Sequence, residues 1–324
     1  MPSYSGVWTL TAQYQAKGAG NWPPFLSGDI GLFAGGYGDG TSLNTIQYIT
    51  ITSTGNATDF GDLIGVAYFD AAGASSTRGL FALGRTTGGV NTNIICYVTI
   101  VTTGNALDFG DLTQARYALA GCSSSTRTLF GGGEDSGNQN IIDYVTTAST
   151  GNATDFGDLT QARHYLASSA STTRGLFGGG YTSVVNSNVI DYVTIASVGN
   201  ATDFGDLTVA RREITGCASS TRALFIGGAT PSVNNTIDYV TIASTGNATD
   251  FGDCVAGGNS QGMGACANAT RGVAAGGGGA NANVIQYVTI ASTGNATDFG
   301  DLAGTVSDNY YGTAGLSNAT ASSQ

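Results

Sequence analysis

Residues 239–253 of the chain read YVTIASTGNATDFGD, and close variants of this segment occur six times. The central Gly-Asn pair of each copy begins at one of six positions: Gly55, Gly104, Gly151, Gly199, Gly246 and Gly294. Successive positions are 49, 47, 48, 47 and 48 residues apart. A period of this length with strand-forming content is typical of a β-propeller in which each repeat forms one blade. The repeat therefore predicts an all-β fold.

One repeat, residues 112–158, is predicted to form four strands. Short apolar runs occupy residues 117–122 and 127–133, and a polar loop follows the second run. Residues 141–147 are rich in β-branched residues and tyrosine, which favour strands. The Gly-Asn pair then makes a tight turn, because Gly and Asn tolerate positive φ. Residues 153–156 form the fourth strand, so each blade is predicted to have four strands.

The two ends of the repeat array predict how the ring closes. The first repeat begins at its second strand, around residues 31–36, and the last supplies only a first strand, around residues 310–316. Five complete repeats and one divided repeat give six blades, with the last blade closed by strands from both termini. Such closure removes open sheet edges. We assign residues 29–324 to the propeller and residues 1–28 to an N-terminal arm.

The repeat resembles the kelch repeat. A di-glycine closes the second strand in five repeats, at Gly35-Gly36, Gly132-Gly133, Gly179-Gly180, Gly227-Gly228 and Gly277-Gly278, whereas the second repeat has only Gly84. The third strand carries a tyrosine: Tyr48, Tyr97, Tyr144, Tyr192, Tyr239 and Tyr287. The fourth strand carries a phenylalanine: Phe60, Phe109, Phe156, Phe204, Phe251 and Phe299. An arginine precedes the next first strand in three repeats: Arg116, Arg163 and Arg211. Kelch repeats usually have tryptophan at the fourth-strand position, so the resemblance implies a divergent, kelch-like propeller.

The charge balance excludes several classes of partner. The formal net charge is −11, and Lys17 is the single lysine. An acidic chain without a basic stripe is not expected to bind nucleic acid. No apolar run reaches the roughly 18 residues that span a bilayer, so no membrane insertion is expected. The N-terminal residues lack a basic start followed by an apolar core, and we predict no signal peptide.

Five cysteines are predicted to be buried free thiols, with disulfides as the alternative. Cys122, Cys217 and Cys266 each lie five residues before an arginine, at equivalent positions of three repeats. Gly73 and Ser169 occupy this position in two other repeats. A position filled by Gly, Ser or Cys indicates a small packed site near the axis of the ring.

The motifs that suggest chemistry favour structural roles. The DFGD motif recurs six times and holds twelve of the 22 acidic residues, but two carboxylates per blade supply too few ligands for calcium. We therefore expect these aspartates to bond turn amides and nearby arginines. Five arginines open second strands and predict a repeated structural contact, with a sugar- or phosphate-binding ring as the alternative: Arg78, Arg127, Arg174, Arg222 and Arg271. His164 is the single histidine, which argues against histidine-based zinc sites and most Ser-His-Asp chemistry. The chain is predicted to be no enzyme and to need no cofactor or metal.

The loop between the second and third strands is the most variable part of the repeat. Variable loops on one face of a repeat protein often form its binding face, although exposed loops also vary without function. The candidate binding residues of this face are Tyr37, Asp39, Arg85, Glu134, Asp135, Tyr181 and Pro231.

The N-terminal arm contains both tryptophans of the chain, Trp8 and Trp22. Exposed tryptophans are characteristic of interfaces, so Trp8, Leu10 and Trp22 are candidate attachment residues. The opening SGVWT and the YVTIASTGNATDFGDLT-type repeat resemble structural proteins of tailed phages that infect marine cyanobacteria.

This resemblance implies a non-enzymatic virion protein, made in the host cytoplasm and carried on the tail, fibre or head surface. Its arm would bind other virion proteins, and its disc would bind a host-surface glycan or protein. Two alternatives remain: a glycan-binding or glycan-processing propeller, and a cellular kelch-type scaffold for protein interactions. A glycan-processing enzyme should show convergent carboxylates in the variable loops, but these loops contain few acidic residues.

Overall fold

The computed structural model describes residues 25–38, 40–255, 260–278, 282–304 and 310–319. These residues form strands and turns, and none of them belongs to a helix long and apolar enough to cross a membrane. The strands, in chain order, are β1 (Ile30–Ala34), β2 (Tyr37–Gly38), β3 (Thr41–Thr50), β4 (Thr58–Ala67), β5 (Ala71–Ala74), β6 (Arg78–Ala82), β7 (Ile94–Thr99), β8 (Leu107–Asp111), β9 (Ala120–Ser123), β10 (Arg127–Gly131), β11 (Ile141–Thr146), β12 (Thr154–Asp158), β13 (Ala167–Ala170), β14 (Arg174–Gly178), β15 (Val189–Thr194), β16 (Thr202–Asp206), β17 (Thr215–Ala218), β18 (Arg222–Ile226), β19 (Ala229–Thr230), β20 (Ser232–Val233), β21 (Thr236–Thr241), β22 (Thr249–Asp253), β23 (Met263–Ala267), β24 (Arg271–Gly276), β25 (Val284–Thr289), β26 (Thr297–Asp301) and β27 (Ala314–Ser317).

The strands form a six-bladed propeller, as the repeat predicts. Each blade is an antiparallel sheet of four strands, and from the axis outward the blades are β27-β1-β3-β4, β5-β6-β7-β8, β9-β10-β11-β12, β13-β14-β15-β16, β17-β18-β21-β22 and β23-β24-β25-β26. We number them blade 1 to blade 6 in this order. The hydrophobic core lies between the faces of adjacent blades: Leu129 of blade 3, for example, shares a cluster with Phe177 and Val193 of blade 4.

Blade 1 is built from both ends of the described chain. Strand β27 pairs antiparallel with β1, with Leu32 opposite Leu316 and Ala34 opposite Ala314. The innermost strand of this blade therefore comes from the C-terminal side, as the divided repeat predicts. Leu32 and Leu316 are fully buried, so this strand pair also contributes to the core.

The repeated Gly-Asn and DFGD segments form the outer contact between neighbouring blades. Gly104 of blade 2 donates its amide hydrogen to the carbonyl of Phe60 in blade 1, at 2.8 Å. The amide of Asp62 in turn donates to Oδ1 of Asn105, at 3.1 Å. A Cβ atom on Gly61, where φ is +150°, would come within 2.4 Å of the carbonyl oxygen of Gly104. We call the contact between two neighbouring blades a joint. The same bonds recur at all six joints, including that of blade 6 with blade 1, which explains why both segments recur in every repeat.

A second contact at the joints comes from the arginines that open the second strands. Each guanidinium stacks on the third-strand tyrosine of its own blade at 4.5 to 4.7 Å from the ring centroid: Arg78 on Tyr97, Arg127 on Tyr144, Arg174 on Tyr192, Arg222 on Tyr239 and Arg271 on Tyr287. Each Nη1 also donates to a carbonyl of the following blade, on Ala148, Ile195, Ile242, Ile290 and Ile51. The predicted repeated structural contact of these arginines is confirmed as an inter-blade clamp.

The arginines before the first strands form buried ion pairs in blades 3, 4 and 5. Their partners are third-strand aspartates, at 2.8 to 2.9 Å, with all side chains fully buried: Arg116–Asp143, Arg163–Asp191 and Arg211–Asp238. The expectation that the DFGD aspartates pair with nearby arginines is wrong for these three arginines, because the DFGD segments lie on the outermost strand and mainly contribute main-chain groups to the joints.

The innermost strands surround the axis. Just before each of them, one residue with positive φ donates its amide hydrogen to the carbonyl of its counterpart in the preceding blade, at 2.7 to 3.1 Å: Phe69, Ala118, Tyr165, Glu213, Gly262 and Gly312. These six residues close a hydrogen-bonded ring, which we call the peptide ring. The cysteines at the small packed site, Cys122, Cys217 and Cys266, lie on innermost strands. All five cysteines are buried and free, as predicted.

Candidate binding face

The variable loops and the connections between blades lie on the same face of the disc, because neighbouring strands in each blade are antiparallel. Isolated β-bridges join the two kinds of segment. Arg85 follows the second strand of blade 2. It bridges to Tyr68, in the connection from blade 1 to blade 2, and to Asn91, near the end of its own variable loop. These two bridges give blade 2 a short row of three residues on this face.

Three such rows lie side by side on blades 2, 3 and 4. We call their nine residues the aromatic patch: Tyr68, Arg85 and Asn91; Tyr117, Glu134 and Asn138; His164, Tyr181 and Asn186. On either side, Tyr37 of blade 1 bridges to Tyr311, and Arg212 bridges to Ala229 of blade 5. Similar bridges therefore flank the patch on blades 1 and 5.

The asparagines of the patch connect each row to the next blade. Nδ2 of Asn91 donates to the carbonyl of Glu134 at 3.4 Å, and Nδ2 of Asn138 donates to the carbonyl of Tyr181 at 3.0 Å. Nδ2 of Asn186 donates in the same way to the carbonyl of Ala229, at 3.3 Å. These bonds hold the variable loops in fixed positions relative to one another, as a binding surface requires.

Two guanidinium groups lie on aromatic rings of the patch. Arg85 lies 4.9 Å from the centroid of Tyr117, and Arg212 lies 5.1 Å from that of Tyr181. Among the ten arginines, these are the two that belong neither to the inter-blade clamps nor to the buried ion pairs. Stacking keeps both cations at the disc face.

Glu134 is the centre of the polar contacts in the patch. Its Oε2 accepts a hydrogen bond from the hydroxyl of Tyr117 at 3.0 Å and lies 3.2 Å from Nε2 of His164. Nδ1 of His164 lies 2.7 Å from Oδ1 of Asn138. Burial lowers the pKa of His164 despite the opposing effect of Glu134. Burial and the Glu134 carboxylate both raise the pKa of Tyr117, so this phenol remains a neutral donor.

Aromatic residues also line the central channel where it meets this face. Phe69 lies against Tyr165 and Tyr311, with ring centroids 4.7 and 4.9 Å apart. The channel has a cavity volume of about 90 Å³, and its lining includes residues of all six innermost strands. This volume holds a few water molecules, so a larger ligand is expected on the disc face rather than inside the channel.

The fold brings together four of the predicted binding residues. Arg85, Glu134 and Tyr181 belong to the aromatic patch, and Tyr37 packs against Tyr68 at a tilted angle, with ring centroids 5.2 Å apart. The other predicted residues of this face are placed differently. Oδ1 of Asp135 accepts a hydrogen bond from Asn91, Pro231 is exposed between β19 and β20, and Asp39 lies outside the described residues.

The remaining predicted site residues belong either to the framework or to the N-terminal arm. The six fourth-strand phenylalanines are buried and meet the third-strand tyrosines edge to face, at 5.8 to 6.3 Å between centroids. Trp8, Leu10 and Trp22 of the arm lie outside the described residues. Among the residues that the structure describes, no group of three or more His, Cys, Asp or Glu side chains is placed to hold a metal ion.

The variable-loop prediction missed two of the three residues in each row. Tyr68, Tyr117 and His164 come from the connections between blades, and the asparagines come from the loop ends. Their position in the sequence could have indicated the first group, because Tyr68, Tyr117 and His164 lie shortly before first strands. The connections that hold them are on the same face as the variable loops.

No protein-family model matches the chain, and no curated protein matches it. The fold is consistent with a kelch-like propeller, and its face is compatible with a binding role.

Proposed function

We propose that this chain is a non-enzymatic binding propeller that presents the aromatic patch to a partner. The supporting observation is the difference between the two faces of the disc. One face repeats nearly the same short turns in every blade, whereas the other gathers tyrosines, asparagines, two arginines and two glutamates from several blades. The carboxylate of Glu134 is already bonded to Tyr117 and lies beside His164, which favours binding over acid–base chemistry.

We further propose that the propeller is a structural protein of a tailed phage particle. The support for this step is the resemblance of the N-terminal opening and of the repeat to such proteins. The chain would be made in the host cytoplasm, and its arm, through Trp8, Leu10 and Trp22, would attach the disc to other virion proteins. The aromatic patch would then face outward, toward the host surface.

Mass spectrometry of gradient-purified particles tests the virion assignment. Peptides of this chain should co-purify with the major capsid protein at a fixed ratio through successive gradients, while abundant host proteins decline. If the ratio falls as the host proteins fall, the virion assignment is wrong and a cellular interaction scaffold becomes the better assignment.

A further inference from the structure

The aromatic patch holds buried polar atoms without hydrogen-bond partners. They are Nε of Arg85, a donor, and Oδ1 of both Asn91 and Asn186, two acceptors. Buried polar atoms are nearly always paired in folded proteins. Three of the five such side-chain atoms in the described part of the chain belong to this patch, so the patch is where the fold leaves hydrogen-bonding capacity unused.

The middle row shows why the two asparagine oxygens are left over. Each asparagine bonds to the next blade through Nδ2, so its Oδ1 needs a separate hydrogen-bond donor. In the middle row, Nδ1 of His164 lies 2.7 Å from Oδ1 of Asn138. The residues equivalent to His164 at the other two positions are committed elsewhere, because Tyr117 donates to Glu134 and Arg212 stacks on Tyr181.

Aromatic rings lie among these polar atoms. Tyr37, Tyr68 and Tyr181 are half-buried on the disc face, so part of each side chain remains accessible. The charges around them are mixed in sign: Arg85 and Arg212 carry two positive charges, and Glu134, Asp135 and Glu213 carry three negative ones. The strongly acidic part of the chain lies elsewhere, because the twelve DFGD aspartates are on the outermost strands.

We infer that the aromatic patch is a saccharide-binding site. A sugar ring has apolar C–H faces that pack on tyrosine rings, and its hydroxyl groups both donate and accept hydrogen bonds. The side chains of Arg85, Asn91 and Asn186 are half-buried, so a small rotation on binding would bring their unpaired donor and acceptors within reach of these hydroxyl groups. A nucleic acid would need more cations than two, and the exposed valines at the loop tips, such as Val184 and Val233, are scattered and form no apolar groove for a peptide helix.

This inference rests on the proposed binding function, and the test separates the two. The labelled full-length chain is applied to an array that carries neutral and acidic oligosaccharides together with peptides and envelope proteins from the host. Two patch variants, Tyr181→Ala and Arg85→Met, remove a stacking surface and the unpaired donor. Val198→Ala is the matched control, because Val198 is exposed in a turn on the opposite face of blade 4.

We expect saturable binding to at least one oligosaccharide, displaced by the same free sugar. Each patch variant should weaken this binding about tenfold, as expected for the loss of one well-placed contact. The melting temperature should stay unchanged, and Val198→Ala should bind like the wild type.

Three outcomes would overturn the saccharide assignment. Binding to peptides or envelope proteins alone, lost in the patch variants, would keep the binding function and reject the sugar. Sugar binding that the patch variants leave unchanged would move the site off the patch. Binding to nothing on the array would reject both the saccharide and the binding function, independently of whether the chain is found in virions.

Discussion

Two unusual residues in blade 2 compensate for each other. In the other five blades, a glycine with φ between +64° and +83° stands at the end of the second strand or directly after it, whereas blade 2 has Leu83 at this position. The following amide in those blades bonds to a carbonyl near the start of the next first strand, as Gly133 does with Arg163. In blade 2 the equivalent amide, on Gly84, bonds to Oδ1 of Asp70 instead, at 2.8 Å. Asp70 replaces this lost acceptor and stands where other blades have residues such as Leu166 or Ile214.

Asp70 makes stability depend on pH. Its side chain is buried, Oδ2 has no partner, and burial raises its pKa from 3.8 to about 7 although the Gly84 amide opposes this shift. Because the pKa is higher in the folded state, the contribution of Asp70 to stability is fully present below the unfolded pKa and is lost as the pH rises through about 7. At full ionisation the loss would be roughly 4 kcal/mol.

The variant Asp70→Asn isolates this effect, because it keeps an acceptor for Gly84 and cannot ionise. Urea unfolding of both proteins from about pH 4 to about pH 8 should show the wild type losing stability relative to the variant as the pH rises. Repulsion among the other acidic groups affects both proteins equally. A difference that stays constant over this range would contradict the raised pKa.

The arginine and the aspartate of the buried pairs are present together or absent together in each blade. Blades 3, 4 and 5 have both charged residues. Blades 1, 2 and 6 lack the arginine, and in them an uncharged residue replaces the third-strand aspartate: Gln47, Cys96 and Gln286. In blade 6, Oε1 of Gln286 accepts a hydrogen bond from the amide of Val255. A buried charge without its partner is costly, so the two positions are expected to change together.

Breaking one of these pairs should be more harmful than removing both charges. We expect Asp191→Ala to lower the free energy of unfolding by about 3–5 kcal/mol, because Arg163 then stays buried and unpaired. The double variant Arg163→Ser, Asp191→Gln copies the residues Ser260 and Gln286 of blade 6 and should recover most of this loss. Urea unfolding at neutral pH measures both, and a double variant no more stable than the single one would contradict this expectation.

At the scale of elements, the joint between blades 1 and 2 differs from the other five. The position that opens the second strand is Ile30 in blade 1, so this joint has no arginine clamp. The segment before β1 occupies the equivalent place: Leu26 donates its amide hydrogen to the carbonyl of Val101 at 2.8 Å, and Phe25 bridges to Thr102. Leu26 also packs against the core between these blades. Two residues from before the propeller thus take over the contact of the missing clamp.

Two truncations separate this contact from the attachment role proposed for the arm. Removal of residues 1–24 should leave the melting temperature unchanged and abolish incorporation into particles, because Phe25 and Leu26 remain. Removal of residues 1–27 should also lower the melting temperature by several degrees, since a joint loses a main-chain bond and a buried side chain. Equal melting temperatures would show that the segment does not stabilise the joint, and normal incorporation of the shorter truncation would show that attachment does not use the arm.

The sequence reveals the elements better than the site. Residues that recur in every blade, such as Phe60 and the Gly-Asn pair, report repeated contacts and can be recognised from one chain. The peptide ring cannot, because its six positions hold Phe69, Ala118, Tyr165, Glu213 and two glycines and share only a backbone conformation. The aromatic patch is harder still, since its rows join residues that are neighbours only after the blades are placed side by side.

At the scale of the whole molecule, stability depends on closing the ring. The outer contacts and the peptide ring continue around all six joints, so each blade is held by two neighbours. Closure of blade 1 depends on the non-local pairing of β27 with β1. Loss of this strand would leave β1 as an exposed edge and would remove Leu316 from the core.

Removal of residues 310–324 should therefore lower the melting temperature by ten degrees or more and cause aggregation, because an unpaired strand edge recruits other chains. Removal of residues 320–324 alone, beyond the strand, is the matched control and should have little effect. A synthetic peptide of residues 310–319 added to the longer truncation should restore part of the lost stability by pairing with β1. Thermal melting and size-exclusion chromatography measure these outcomes, and a longer truncation that stays monomeric with an unchanged melting temperature would show that β27 does not close the ring.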